Sequence, residues 1–305
     1  MVTVLQYLEE LYQSLMLSEK QRDEIKADRE DIEQLLMQMP DIQPASVLYA
    51  GSYKKHTEIA DSYDLDLILI YKSDKYSVET IHKLVFDYMR SKKPANEIRK
   101  KNVSIRWIKR PGYHLDIVPS KEIKNSTDDE VYLWKSQDKP PSKLKTSVKI
   151  HRQRIIDFGD HQLLRLLKYW RNQWGLEFPS FVLGEMVIEA FEDQSKNLSL
   201  DERIIYALEF MQDNIKNITL HDPANPHGNI VSSEDVISQT DKDRVARTAH
   251  ICLNNKNWDD ISEWKQLFRV DAQGRSQSKS NPPTGSFGHI KKRSSKDAGR
   301  WGMKD

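Results

Sequence analysis

From residue 3 to residue 39 apolar positions recur at helical spacing: Leu5, Leu8, Leu11, Tyr12 and Leu15, then Ile25, Ile32, Leu35, Leu36 and Met39. Pro40 and Pro44 stop the pattern, which predicts two helices broken near Ser18. Beyond Pro44 the period shortens. Ser46 to Tyr49 and Leu65 to Tyr71 are β-branched or alternating runs bounded by Gly51, Ser52, Asp61 and Ser62, which predicts two strands joined by a polar loop. Val78 to Met89 reads as a helix, and Val103 to Ile108 and Tyr113 to Val118 as strands, the last closed by Pro119. The first half is therefore an α/β lobe with a mixed or antiparallel sheet.

Helical spacing returns at His161, with Leu163, Leu164, Leu167, Trp170 and Trp174 on one side. Further helices are expected near Phe181 to Phe191, Leu200 to Asn214 and Thr240 to Cys252. Lys135 to Lys149 is polar and basic and holds Pro140 and Pro141, so it reads as a linker. The expected division is 1–140 for the α/β core with its N-terminal helices, 141–270 for a helical lobe and 271–305 for a basic tail. That tail is rich in Gly, Ser, Lys and Arg and too poor in aliphatic residues to offset its ordering entropy, which predicts disorder.

Composition narrows the classes. The chain has 305 residues, about two domains' worth, and its 38% apolar content suffices for a core. Lys and Arg number 47 against 46 Asp and Glu, so global basicity of the kind that coats nucleic acid is absent, and an anionic ligand must be met by local charge. Cys252 is the only cysteine, which excludes an intrachain disulfide and a cysteine zinc cluster and fits a reducing cytoplasm. Met1 to Leu17 has neither the basic start nor the continuous apolar core of a signal peptide, and no run of apolar residues is long enough for a membrane span.

The chemistry lies in Gly51-Ser52 followed by Ser62-Tyr63-Asp64-Leu65-Asp66-Leu67-Ile68-Leu69-Ile70. In a strand, residues two apart share a face, so Asp64 and Asp66 point the same way at its polar mouth, while Leu65 and Leu67 face a core. Two carboxylates side by side repel unless a cation neutralises them. A third acid, Asp116, stands inside the apolar strand His114-Leu115-Asp116-Ile117-Val118. If the two strands pair, three carboxylates share one site, the ligand set of two magnesium ions ~3.5–4 Å apart. Gly51 and Ser52 can offer backbone amides and a hydroxyl to phosphate oxygens. Each part has a plain alternative: Asp-x-Asp arises by chance, Gly-Ser is an ordinary turn, and Asp116 can pair with Arg106 or Lys109. Their order along the chain is what points to metal-assisted phosphoryl chemistry.

On these residues the chain resembles the DNA polymerase β-like nucleotidyltransferases, in the branch of cyclic GMP-AMP synthase, oligoadenylate synthase and the bacterial CD-NTases. The resemblance spans roughly residues 25 to 270. It implies an α+β, two-lobed nucleotidyltransferase fold, a mixed β-sheet with flanking helices plus a helical C-terminal lobe, with the active site in the cleft between. Gly51 and Ser52 match the family's Gly-Ser motif, Asp64 and Asp66 its paired metal ligands, and Asp116 its third acid. Leu166-Leu167-Lys168-Tyr169-Trp170 resembles the family helix whose lysine contacts the triphosphate, and Pro179-Ser180-Phe181 the segment whose serine joins it. Otherwise Lys168 edges an amphipathic helix.

The resemblance implies Mg2+ as cofactor, with Mn2+ as substitute, nucleoside triphosphates as substrates, and a product that is a short, cyclic oligonucleotide signal in anti-phage defence. It further implies a downstream effector and a regulatory protein as partners; the chain's own lack of Cys and His groupings argues against a zinc insertion for sensing DNA, and its lack of a long apolar run against a membrane partner. His221 to Val231 resembles a late Asp-Pro-x-Asn segment, a dense turn cluster expected to be structural. Lys54, Lys55 and His56 depart from the small residues usual after Gly-Ser. Tyr53, Tyr63, Trp107 and Tyr169 are the candidates for stacking on a base. The same chemistry with an RNA acceptor, as in CCA-adding or poly(A)-type enzymes, needs an RNA-binding module for which the chain leaves little room. A catalytically dead nucleotide-binding or antitoxin module has no reason to keep three costly carboxylates together.

Overall fold

In the computed structural model the break expected near Ser18 is a helix start. Ser18 caps the second helix by accepting from the Gln21 amide, and the Gln21 side chain returns the bond. The structure describes residues 2–126, 128–192, 197–232, 234 and 236–270, so the tail 271–305 lies outside the described residues. In chain order the elements are α1 (Val4–Ser14), α2 (Glu19–Met37), β1 (Ser46–Tyr49), α3 (Gly51–Lys54), β2 (Leu65–Tyr71), α4 (Val78–Lys92), β3 (Ile98–Lys100), β4 (Ile105–Arg110), β5 (Tyr113–Glu122), β6 (Val131–Lys135), β7 (Ser142–Thr146) and α5 (Val148–Phe158). There follow α6 (His161–Gln173), α7 (Ser180–Ala190), α8 (Leu200–Asn214), β8 (His221–Asp222), β9 (Asn225–Asn229), α9 (Gln239–Leu253) and α10 (Ile261–Leu267). Mixed α and β content around a mixed sheet is the fold class expected.

The chain divides into two compact units. One holds Met16–Gly159 and Asp222–His227; the other holds Met1–Leu15, Asp160–His221 and the described residues from Gly228 onward. These borders differ from the expected ones at residues 1–15, 141–159 and 222–227. The stretch read as a linker folds: residues 142–146 are β7 and 148–158 are α5. β7 escapes a hydrophobic reading because of its inward residues only Leu144 is aliphatic, while Lys143 and Lys145 face out, as suits an edge strand. Helix α1 belongs with the helical unit, where Gln162 donates to Glu9 and Arg165 to the Tyr12 hydroxyl. Its buried Leu8 and Leu11 are not among the residues of the sheet's own core.

The sheet of the first unit runs β1-β2-β5-β4-β3, and β6 and β7 extend it beyond the far half of β5. β2 and β5 are parallel; the other pairs are antiparallel. Leu65, Leu67, Leu69, Leu115 and Ile117 project to one face, packed with Ile25, Ile32, Leu36, Ile81 and Val85 from α2 and α4. Ile68, Val118, Leu133 and Leu144 project to the other, with Ala50 and Val103. Each such side chain contributes about 1.5–3 kcal/mol by leaving water, which is why β2 reads as one apolar run after its acids.

Candidate active site

The parallel pairing of β2 with β5 decides the site. Its register sets Leu65 beside Leu115, Asp66 beside Asp116 and Ile68 beside Val118, so both aspartates project to the same face. The antiparallel register of β4 adds Arg106 beside Asp116, giving a row Asp66, Asp116, Arg106 across three strands. One pleat earlier, Asp64 stands just outside β2 and His114 lies on β5, two residues before Asp116. Asp66 and Asp116 are each only 1% exposed, while Asp64 is half-buried.

Arg106 grips Asp116 with two parallel bonds, Nε to Oδ1 at 2.8 Å and Nη2 to Oδ2 at 2.7 Å. This bidentate geometry is among the strongest available to a carboxylate. His114 lies between Asp64 and Asp116: its Nδ1 is 3.1 Å from Asp64 Oδ1 and its Nε2 is 3.7 Å from Asp116 Oδ2. The sequence reading places Arg106 only as a plain alternative partner and assigns His114 no role. The signals that find them are His114 two residues before Asp116 on β5 and Arg106 as a charged residue between the buried Ile105 and Trp107 on β4.

Gly51 and Ser52 open α3, a single helical turn that follows β1. Ala50 N–H donates to the Asp66 carbonyl at 2.9 Å, pinning this turn to the acidic strand. Gly51 has φ +58°, and a Cβ there would come within 1.7 Å of Asp66 Oδ2. Two demands thus meet at one residue, a left-handed backbone and contact with a carboxylate, and glycine alone meets both. The Gly-Ser turn and the Asp-x-Asp strand are one site.

Asp222 and His151 form a buried pair in the same unit, with His151 Nε2 3.3 Å from Asp222 Oδ1. Asp222 also accepts from the Ala224 amide at 2.8 Å and from Asn225 Nδ2 at 3.2 Å, and Asn225 Nδ2 donates to the Lys145 carbonyl. Burial, reinforced by the Lys55 charge, brings the His151 pKa down to about 3, so the imidazole is neutral near pH 7. Burial likewise raises Asp222 above the ordinary carboxylate value. These bonds tie a loop to β7 and match the structural part expected of the Asp-Pro-x-Asn segment.

In the helical unit, Lys168 lies on α6 among Leu164, Leu167 and Trp170 and is 7% exposed. It is no edge lysine of a solvated helix face. Ser180 is the first residue of α7, and its Oγ accepts from Arg171 Nη1 at 2.9 Å; Arg171 lies one turn beyond Lys168 on α6. Of the four aromatic candidates, Tyr63, Trp107 and Tyr169 are buried. Tyr63 and Trp107 hydrogen-bond to Glu24 and Glu97, and Tyr169 packs against Phe268. Tyr53 stays half-buried, its ring 4.9 Å from that of Tyr49.

Do these residues fit a divalent metal? The donor chemistry does: Asp64, Asp66 and Asp116 are hard oxygen ligands on one face, at the polar end of a buried strand. The side-chain arrangement does not gather them, because Asp116 is turned into the Arg106 fork and Asp64 toward His114. Among the described residues no three His, Cys, Asp or Glu side chains form a group that could hold a metal ion. Two carboxylates, Asp64 and Asp66, remain as the nucleus of such a site, with Asp116 beside them in register.

Residues 2–136 match the model of the SMODS domain, the Second Messenger Oligonucleotide or Dinucleotide Synthetase domain. Over those residues the chain is similar to this synthetase family. The SMODS match bears out the resemblance to CD-NTases and the enzyme class expected with it, nucleotidyl transfer. Solved structures share the fold. E. coli MS115-1 CdnC with ATP superposes with a TM-score of 0.67 at 16% identity, over 87% of this chain and 96% of that one. The Bradyrhizobium diazoefficiens CD-NTase CdnG in complex with GTP gives 0.66 at 16% identity, over 82% and 91%. The Vibrio cholerae cyclic AMP-GMP synthase DncV, in complex with a linear intermediate, gives 0.63 at 12% identity, over 85% and 92%. No curated protein sequence matches the chain. Among the described residues no helix is long and apolar enough to cross a membrane.

Proposed function

We propose that the chain is a metal-dependent nucleotidyltransferase that joins nucleoside triphosphates into a short, cyclic oligonucleotide and releases pyrophosphate. In this reading it works in the bacterial cytoplasm, and its product is the signal that switches on an anti-phage effector. The observation that carries the proposal is the parallel register that sets Asp66 beside Asp116, with Gly51 pressed against Asp66. The SMODS match and the ATP- and GTP-bound structures of its fold relatives support the substrate class.

In the reaction a ribose hydroxyl attacks an α-phosphate; the new bond is O–P, and the bond broken is that to pyrophosphate. Asp64 and Asp66 would hold Mg2+, or Mn2+ in its place, with Asp116 completing the set, and the metal would lower the pKa of the attacking hydroxyl and offset charge on the phosphates. The residues' own tasks are positional. Asp116 accepts the hydroxyl proton or orients the nucleophile, held in aim by Arg106. The amides of α3 and the Ser52 hydroxyl take triphosphate oxygens, and Lys168 and Ser180 are assigned to the same triphosphate.

The test is incubation of the full chain with all four labelled triphosphates in Mg2+ or Mn2+. Phosphatase-resistant short oligonucleotides with pyrophosphate release are expected, and none from Asp64→Asn or Asp66→Asn at unchanged melting temperature. Extension of an added RNA in place of short products would assign the RNA-acceptor reading. Unchanged turnover in either variant would remove the acids from the chemistry.

A further inference from the structure

The acids occupy one face of the sheet, and a cleft of about 490 Å3 opens on the opposite one. Pairing register proves the separation. Asp116, Val118 and Ser120 share a face by alternation, and Ser120 pairs with Leu133 and Leu133 with Leu144. The interleaved residues face the other way: Lys121 pairs with Tyr132, and Trp134 pairs with Lys143. These four side chains line the cleft, together with Ser77 and Val78 at the start of the 15-residue helix α4. Its volume falls in the range of small-ligand sites, about 300–1,000 Å3.

The charges around it leave a cationic remainder. At the rim, Lys124 is paired with Asp74 and Glu122 with Lys72, so those four cancel. Lys121 donates to the Tyr76 carbonyl, and Lys143 Nζ sits 5.0 Å from the centre of the Tyr132 ring. Neither lysine makes an ion pair among the described residues, and only Glu79 opposes them in the lining. The α4 N-terminus adds partial positive charge, although Ser77 already caps the Thr80 amide. Two lysines without an ion-pair partner among the described residues, beside a Tyr and a Trp in a cleft of this size, ask for a ligand with an anionic end and a flat end.

We propose that this cleft is a second ligand site, separate from the acids, for a small phosphorylated ring compound of the nucleoside monophosphate class. The phosphate would lie toward Lys121, Lys143 and the start of α4, and the ring against Tyr132 and Trp134. The inference stands on the cleft alone and does not depend on which reaction the acids perform.

The experiment is equilibrium dialysis of labelled AMP against the full chain in EDTA, which suppresses metal-dependent binding at the acids. Saturable binding of AMP is expected, weakened about tenfold or more in Lys121→Ala/Lys143→Ala and in Trp134→Leu, and kept within about threefold in Trp134→Phe. Glu79→Gln tightens it, and Asp66→Asn leaves it unchanged. Ribose 5-phosphate, which lacks the base, binds about tenfold more weakly if the ring is stacked. Absence of saturable binding up to about 1 mM AMP, binding that survives the double lysine variant, or loss in Asp66→Asn would overturn the proposal. Equal affinity for ribose 5-phosphate would overturn the ring-recognition part and leave a phosphate site.

Discussion

Asp116 sits in the fork of Arg106, both of its oxygens bonded, with the carboxylate 1% exposed and the arginine side chain 15%. Removing the arginine leaves a charge buried beside a second buried carboxylate, Asp66. Arg106→Ala is therefore expected to lower unfolding free energy by about 3 kcal/mol, the cost of breaking a buried pair from one side. Arg106→Lys recovers only part of it, because a point charge cannot reproduce the fork. Urea unfolding of the three proteins checks this, and a loss below about 0.5 kcal/mol for the alanine variant, the range of ordinary surface changes, would show that water screens the pair.

Gly51→Ala meets two obstacles at once. The left-handed φ costs about 1–2 kcal/mol for a residue with a Cβ, and the new methyl carbon would overlap Asp66 Oδ2 at 1.7 Å. One of the two must move, so product formation falls at least about a hundredfold through misplacement of the phosphate turn or the acid. Initial rates beside thermal melting separate the two contributions. Activity near that of the parent chain would show that the turn and the acid do not work as a unit.

Lys168 is buried along its stem, so its removal affects both packing and charge. Lys168→Met keeps the stem and deletes the ammonium. The expectation is a raised KM for triphosphate with kcat less affected and melting within about 1 kcal/mol of the parent. Lys168→Ala lowers stability as well. Unchanged kinetics in the methionine variant would leave Lys168 a purely structural residue of α6.

His82, on α4, is fully buried, and among the described residues neither ring nitrogen has a hydrogen-bond partner. Burial, with a smaller contribution from the Lys100 charge, lowers its pKa from 6.5 to about 4. Between those values the unfolded chain binds a proton that the folded chain does not, so this group makes stability rise with pH across the window and fall on acidification. From pH 7 to pH 5 the loss from His82 is about 2 kcal/mol. His82→Leu removes that part of the slope. Denaturant unfolding at the two pH values in both proteins measures it, and equal pH dependence would mean that His82 titrates normally.

Much of the site could be read in the chain before its fold was known. Strand alternation places Asp64 and Asp66 on one face and Leu65 and Leu67 on the other, and the β2 run of Leu and Ile announces burial on both sides. These are local properties of a period-two backbone. The break at Ser18 is equally local, because a capping box is written within four residues. The parallel pairing of β2 with β5 is not local. It joins residues some fifty positions apart and decides that Asp66 meets Asp116, while the β4–β5 register sets Arg106 beside Asp116 and the turn after β1 presses Gly51 against Asp66. The same holds for α1, whose amphipathic pattern says that one face must be buried but not against what; long-range packing with α6 and α8 answers it. Strand β7 was illegible for the opposite reason, since an edge strand of alternating lysines carries almost no hydrophobic signal until β6 supplies its partner. The sequence alone determined which side chains are the candidates for the chemistry. The tertiary structure decided which of them touch, because contact between distant strands depends on register, and register is a property of the whole sheet.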